Sequence, residues 1–164
     1  MKKIITVLFI LNAAFVLLAQ SDDPAIQKAK EETAVIFDLG RFFGYLHTME
    51  QDAKELALTK NQMTEIYNTL TGLLKIERVE IADADETLLY LEEELLTLDQ
   101  LIYVDELAME KMNTRISGSG TGSGGGQLAN YVAGGAFNPL TDQSKTIGKD
   151  VSGFMEYLKK KLGK

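Results

Sequence analysis

The chain has 164 residues, enough for one small domain, and 45% of them are hydrophobic, which supports a packed core. Its formal charge is −7, which argues against a general nucleic-acid role unless a basic face is present. It has no cysteine, which excludes disulfides, thiol catalysis, thiolate metal sites and a lipidated N-terminal cysteine.

Met1-Lys2-Lys3 followed by the apolar run Ile4–Leu18 reads as a secretory signal peptide over 1–19, with cleavage after Ala19. The small-x-small rule is half met, because Leu17 stands where a small residue is preferred. The run is shorter than the ~20 residues a spanning helix needs, so an uncleaved anchor is the weaker reading. Loss of Lys2 and Lys3 leaves 15 bases against 24 acids, net −9. The expected location is periplasmic or secreted, and the leader has a bacterial look. Residues 20–116 read as a helical domain, 117–126 as a Gly/Ser-rich linker, and 127–164 as a loop plus a C-terminal helix.

Asp23-Pro24 is a good helix start: Asp as N-cap and Pro in the first turn. Val35, Leu39, Phe42, Leu46, Met49, Ala53 and Leu56 then step by four and three, an apolar stripe on one helix face that Ile36 and Phe43 widen. Gly40 and Gly44 lie beside the stripe; they read either as a close helix crossing or hinge, or as tolerated glycines. His47, the only histidine, flanks the stripe and has no visible partners for ligand or base chemistry.

Two copies of one short signal follow: Leu58-Thr59-Lys60-Asn61-Gln62 and Leu96-Thr97-Leu98-Asp99-Gln100. Thr can cap a helix through its hydroxyl, and Gln three residues on can reach back to the cap amide. The preceding Leu can staple onto Met63 or Leu101. Leu58, Thr59, Gln62, Leu96, Thr97 and Gln100 are therefore candidate helix-capping residues. These paired motifs resemble the LTxxQ family of bacterial periplasmic proteins, whose studied members are Spy/CpxP-like chaperones and envelope-stress sensors. The resemblance covers about residues 56–112; Lys60 and Leu98 stand where that family usually has Pro. It implies an all-helical fold and binding of unfolded or membrane-associated clients.

Met63, Ile66, Tyr67, Leu70, Leu73 and Leu74 line one face of the helix that Thr59 starts. Ile76–Ile81 reads as an ordered non-helical connector, strand-like but with no visible pairing partner. Asp83 with Glu86 makes a further capping box, so a third helix is expected there, with Leu88, Leu91 and Leu95 inward. At Thr97 two readings stand. The spacing Ala84, Leu88, Leu91, Leu95, Leu98, Ile102 carries one helix straight through; a separate helix would instead bury Leu101, Val104, Ala108 and Met112.

Between Glu77 and Glu110 there are 12 acids against Arg78 alone, and from Lys111 onward eight bases against three acids. This reads as a solvated acidic face and a basic tail, or as a tail docked on the acidic helices; exposed ion pairs, at about 0–1 kcal/mol each, favour the first. Gly120-x-Gly122-x-x-Gly125 matches a dinucleotide loop in spacing, but no strand precedes it and no helix is expected directly after it. Residues 128–140 read mostly as loop, pinned by Tyr131, Val132 and Phe137. The last helix carries Ile147, Val151, Phe154, Leu158 and Leu162 on one face, with Met155 beside it and lysines at its C-terminal end. That face either docks on the domain or is a candidate partner or membrane face; Gly148 and Gly153 favour docking.

No hydrolase triad or zinc motif can be built from one histidine and no cysteine. Asp83-x-Asp85 lacks the glycine and distal glutamate of a calcium loop. The consecutive Glu92, Glu93 and Glu94 spread around a helix. The expectation is an all-α bundle of four to five helices with a Gly/Ser-rich linker before a C-terminal amphipathic helix. It is a non-enzymatic protein of the cell envelope with no cofactor or metal, engaging a protein partner or itself in an interaction or chaperone-like role. The alternative is a membrane-surface protein acting through its C-terminal helix.

Overall fold

The computed structural model describes residues 23–117 and 125–164. The expected leader over 1–19 and most of the expected linker, 118–124, lie outside the described residues. The fold is all-helical. Its α-helices are α1 (Pro24–Glu32), α2 (Ala34–Asp52), α3 (Lys60–Leu73), α4 (Ile81–Tyr90), α5 (Leu98–Ser117), α6 (Gly125–Val132) and α7 (Thr146–Leu162). The seven helices among the described residues exceed the four to five expected, for two reasons.

First, the helix that Asp23-Pro24 starts ends before the apolar stripe begins. Asp23 caps α1 by accepting from the Ala25 N–H, with Pro24 in the first turn. Thr33 then divides α1 from α2. Its Oγ1 donates to the Ala29 carbonyl at 2.7 Å, a back-bond that bends helices. Second, helix α6, Gly125–Val132, takes up the end of the expected linker and the start of the expected loop and packs on α1, while Ser117 at the linker's other end belongs to α5.

α2 is the central element, packed against α4, α5 and α7. The stripe predicted for it holds: Leu39, Phe42, Leu46, Met49 and Ala53 are buried, as are Ile36 and Phe43, while Val35 and Leu56 are half-buried. Gly40 and Gly44 mark a close crossing with the α7 side of the molecule. A Cβ on Gly40 would overlap Ile147 and stand 2.9 Å from Leu140, and one on Gly44 would stand 3.3 Å from Asp150. Removing the Cβ atoms allows the backbones to approach.

The connector before α4 finds its partner in a non-local residue. The Val79 N–H donates to the Phe137 carbonyl and the Phe137 N–H to the Glu77 carbonyl, each at 2.9 Å, an isolated parallel bridge. Arg78 lies over the Tyr131 ring and donates to the carbonyls of Tyr131 and Gly135. Asn138 Nδ2 donates to the carbonyls of Leu73 and Ile76, closing the end of α3. Phe137 is buried and Tyr131 half-buried, but Val132 is exposed and does not pin the segment. α4 starts one turn earlier than the Asp83–Glu86 spacing predicts. Asp83 is not the cap; it sits at the third helical position and accepts from the Glu80 N–H.

At Thr97 the chain restarts. α4 runs into a π turn over Leu91–Leu95, Leu96 is extended, and Thr97 caps α5. The apolar spacing that continues through this point is therefore interrupted in space. Leu98 and Ile102, inward on a continuous helix, are exposed, and so is Met112, inward on a separate one; Val104 is buried, and Leu101 and Ala108 are half-buried.

Candidate functional site

The six capping residues come together at one place. In the first motif Thr59 Oγ1 accepts from the Gln62 N–H at 3.2 Å, and Gln62 Oε1 accepts from the Thr59 N–H at 2.9 Å. The second repeats this: Thr97 Oγ1 accepts from the Gln100 N–H at 3.3 Å, and Gln100 Oε1 accepts from the Thr97 N–H at 3.0 Å. Each is a complete capping box.

The two boxes are also tied to each other, which the sequence reading did not foresee. Gln62 Nε2 donates to Gln100 Oε1 and to the Leu95 carbonyl, both at 2.9 Å, and Gln100 Nε2 donates to the Leu56 carbonyl at 2.9 Å. Both glutamines are buried, as are Leu58 and Leu96. The π turn carries the Leu95 carbonyl to its donor. Only one orientation of each side-chain amide satisfies this network. Among the described residues no buried side-chain polar atom is left without a partner. The arrangement is structural: it sets where α3 and α5 begin and holds those starts together.

A second polar group joins α2 to α7. Buried Glu50 accepts from the Leu58 N–H through one carboxylate oxygen and from the Tyr157 hydroxyl, at 2.7 Å, through the other. Burial, then the hydrogen bond and charge of Glu50, push the Tyr157 hydroxyl up to about 12, so it stays a donor. His47 stacks on Phe154 at 5.4 Å, approaches the Tyr157 ring at 5.4 Å, and shares a 2.8 Å hydrogen bond with Gln51. Burial lowers its pKa, against the opposing charges of Asp150 and Glu50.

That shift carries a sign. The unfolded chain protonates His47 near the ordinary histidine value of 6.5, while the folded chain holds its pKa below that. As pH falls below 6.5, the unfolded state takes up a proton that the folded state does not, so stability drops. Well above 6.5 both states are neutral and the effect vanishes. Urea unfolding at pH 7.5 and 5.5 should show this loss in the native chain and a reduced one in His47→Gln. An unchanged pH slope in the variant would assign the loss to other groups.

The third feature is on α5. Leu98, Ile102, Asp105, Met109 and Met112 alternate in steps of four and three, so they form one seam along the helix. Leu98 is 71% exposed, and Ile102, Met109 and Met112 are each about half exposed. The opposite side of α5, with Gln100 and Val104, packs inward, and α2 is the neighbour of α5. Partial burial raises the carboxyl pKa values of Glu92 and Asp105, and Asp105 and Glu93 raise Glu92 further, so Glu92 and Asp105 are electrostatic neighbours. The sequence reading placed Leu98 and Ile102 on one inward face and Met112 on another, and did not join them. Periodicity identifies a face but does not say whether anything covers it.

The candidate partner face of the last helix is placed differently. Val151, Phe154 and Leu158 are fully buried, and Ile147 and Leu162 half-buried, with α7 packed on α2 and α3. The face is used within the chain, and the docking alternative is the one realised.

Hollows open on the surface of the described residues. One of about 470 Å³ lies over the tied capping boxes, edged by Glu55, Glu94 and Asp99. Another, about 620 Å³, lies between Leu74–Glu77 and the start of α6. Among the described residues no three His, Asp or Glu side chains group in a way that could hold a metal ion. The glycine triad ends at Gly125, and α6 does follow directly, contrary to expectation; the preceding described element is helix α5, however, where a dinucleotide loop needs a strand. Among the described residues no helix is long and apolar enough to cross a membrane. Comparison of the chain with protein-family models, curated proteins and solved structures found no match.

Proposed function

We propose that the chain is a non-catalytic, exported protein of the bacterial cell envelope that holds other polypeptides through the exposed seam of α5. The observation that carries this reading is the row Leu98, Ile102, Met109 and Met112, left at the surface of a helix whose start is anchored by buried hydrogen bonds. Exposed apolar side chains in one line offer contact area to a non-native segment, and methionine's flexible thioether adapts to varied shapes. The anchored start keeps the helix in place without covering its outer face. The likeness to LTxxQ proteins points the same way, as does the secretory leader read in residues 1–19. The membrane-surface reading is weaker, because the apolar face of α7 on which it depends is turned onto α2 and α3.

The mature chain, starting at Gln20, should slow aggregation of a chemically unfolded client at equimolar ratio, as followed by light scattering. The Ile102→Ser/Met109→Ser variant should lose most of that effect while keeping its helical circular dichroism. No slowing by the native chain at several-fold excess would reject the function. Full activity in the double variant would reject the seam as its seat.

A further inference from the structure

The seam on α5 has an electrostatic character that selects among occupants. Asp105 interrupts it, and Asp99, Glu106 and Glu110 are exposed on the same helix. Glu92 is close enough to Asp105 for the charges to interact, and Glu93 adds to the same field. An apolar strip edged by carboxylates attracts a chain that offers apolar side chains and cations together. We propose that the α5 seam docks cationic amphipathic segments, in which Lys or Arg flanks an apolar helical face, with Asp105 and Glu106 receiving the cations and Ile102 and Met109 the apolar face.

This rests on the reading of the seam as a contact surface and adds the chemistry of what it contacts. A second copy of the chain fits less well. It would bring the same carboxylates against one another, and the chain as a whole carries a net charge of −7. An anionic bilayer is repelled by the same groups. Apolar burial would hold the cationic segment, and the carboxylates would speed its capture and set its preference.

The test uses the full mature chain and two labelled helical peptides of roughly 20 residues, equal in length to about five turns. One has a leucine seam flanked by lysines, the other the same leucines flanked by glutamates. Fluorescence anisotropy should show the lysine peptide binding at least about tenfold tighter, with affinity falling as salt screens the carboxylates. Ile102→Ser/Met109→Ser should weaken the lysine peptide about tenfold, a test that the capture is not charge attraction alone. Asp105→Lys/Glu106→Lys should reverse the preference. All these positions are exposed, and circular dichroism checks that the variants remain folded.

Equal binding of the two peptides overturns the proposal, as does lysine-peptide binding that ignores the Ser variant. Sedimentation showing a dimer that the Ser variant abolishes would assign the seam to a second copy and likewise overturn it. Binding to anionic vesicles that depends on the seam would do the same. The aggregation assay reports separately. A chain that protects clients but treats both peptides alike keeps its proposed function and loses this selectivity. A chain that prefers the lysine peptide but protects no client loses the function alone.

Discussion

Replacing Gln62 with alanine is expected to lower the unfolding free energy by about 3 kcal/mol, because it strands several buried partners at once. The Thr59 N–H loses its acceptor, and the Leu95 carbonyl and Gln100 Oε1 lose their donor. Gln100→Ala should cost a similar amount through the Thr97 N–H and the Leu56 carbonyl. The two losses should not add. One hydrogen bond is common to both, so the double variant should fall short of the sum by about 1 kcal/mol. Urea unfolding of the four proteins measures this coupling, and strictly additive losses would show that the two boxes act independently. Gln62→Glu separates the roles. It keeps an acceptor for the cap amide but sets a buried carboxylate oxygen against the Leu95 carbonyl and Gln100 Oε1, so it should be at least as damaging as alanine.

Gly148→Ala is expected to destabilise despite improving helix propensity. An alanine inside a helix normally gains about 1 kcal/mol over glycine. Here the added methyl would overlap the backbone carbonyl of Asp142 and stand 3.0 Å from its nitrogen. A backbone obstacle cannot rotate away as a side chain does, so the segment before α7 would have to shift, and the clash should win by about 3 kcal/mol. That corresponds to a fall in Tm of about 10 °C for a domain of this size. Gly72→Ala is the matched control. Gly72 lies in α3 with nothing within 4 Å of its would-be Cβ, so the same change there should be neutral or stabilising. Thermal melts of both variants decide the point; equal shifts would remove the close approach at Gly148 as a determinant.

What could be read in the chain beforehand was what depends on near neighbours. Both capping boxes involve residues three apart, and both are present. The stripe of α2 follows from a spacing of three and four, and the buried residues are the ones it names. Where a contact spans the chain, local pattern was silent. Nothing in Leu58–Gln62 indicates that its glutamine also reaches Gln100, 38 residues away. The connector at Arg78 pairs with Phe137, a single bridge too short to announce itself as strand. Glu50 gave no sign of being buried, because its partners, Leu58 and Tyr157, belong to a distant turn and to α7. A helix end stayed open where two local signals competed. The apolar spacing ran through Thr97 while the cap stopped it, and the cap prevailed. At Thr33 a back-bond ends the helix that Asp23-Pro24 starts, just before the α2 stripe begins. The α5 seam shows the limit of periodicity most clearly: the spacing put Leu98 and Ile102 on one candidate inward face and Met112 on another, and only the assembled bundle leaves them together with Met109 at the surface.

The tie between Gln62 and Gln100 has a bearing on the conditions under which the fold can persist. It fastens two points 38 residues apart, the task that small cross-linked domains give to a covalent staple. Here the fastening is made from amide groups alone. It needs no oxidant to form and no enzyme to reshuffle, and reductants leave it untouched. What threatens it is water reaching the two buried amides, so the clamp should hold across any redox environment and fail only when the bundle around Gln62 and Gln100 opens.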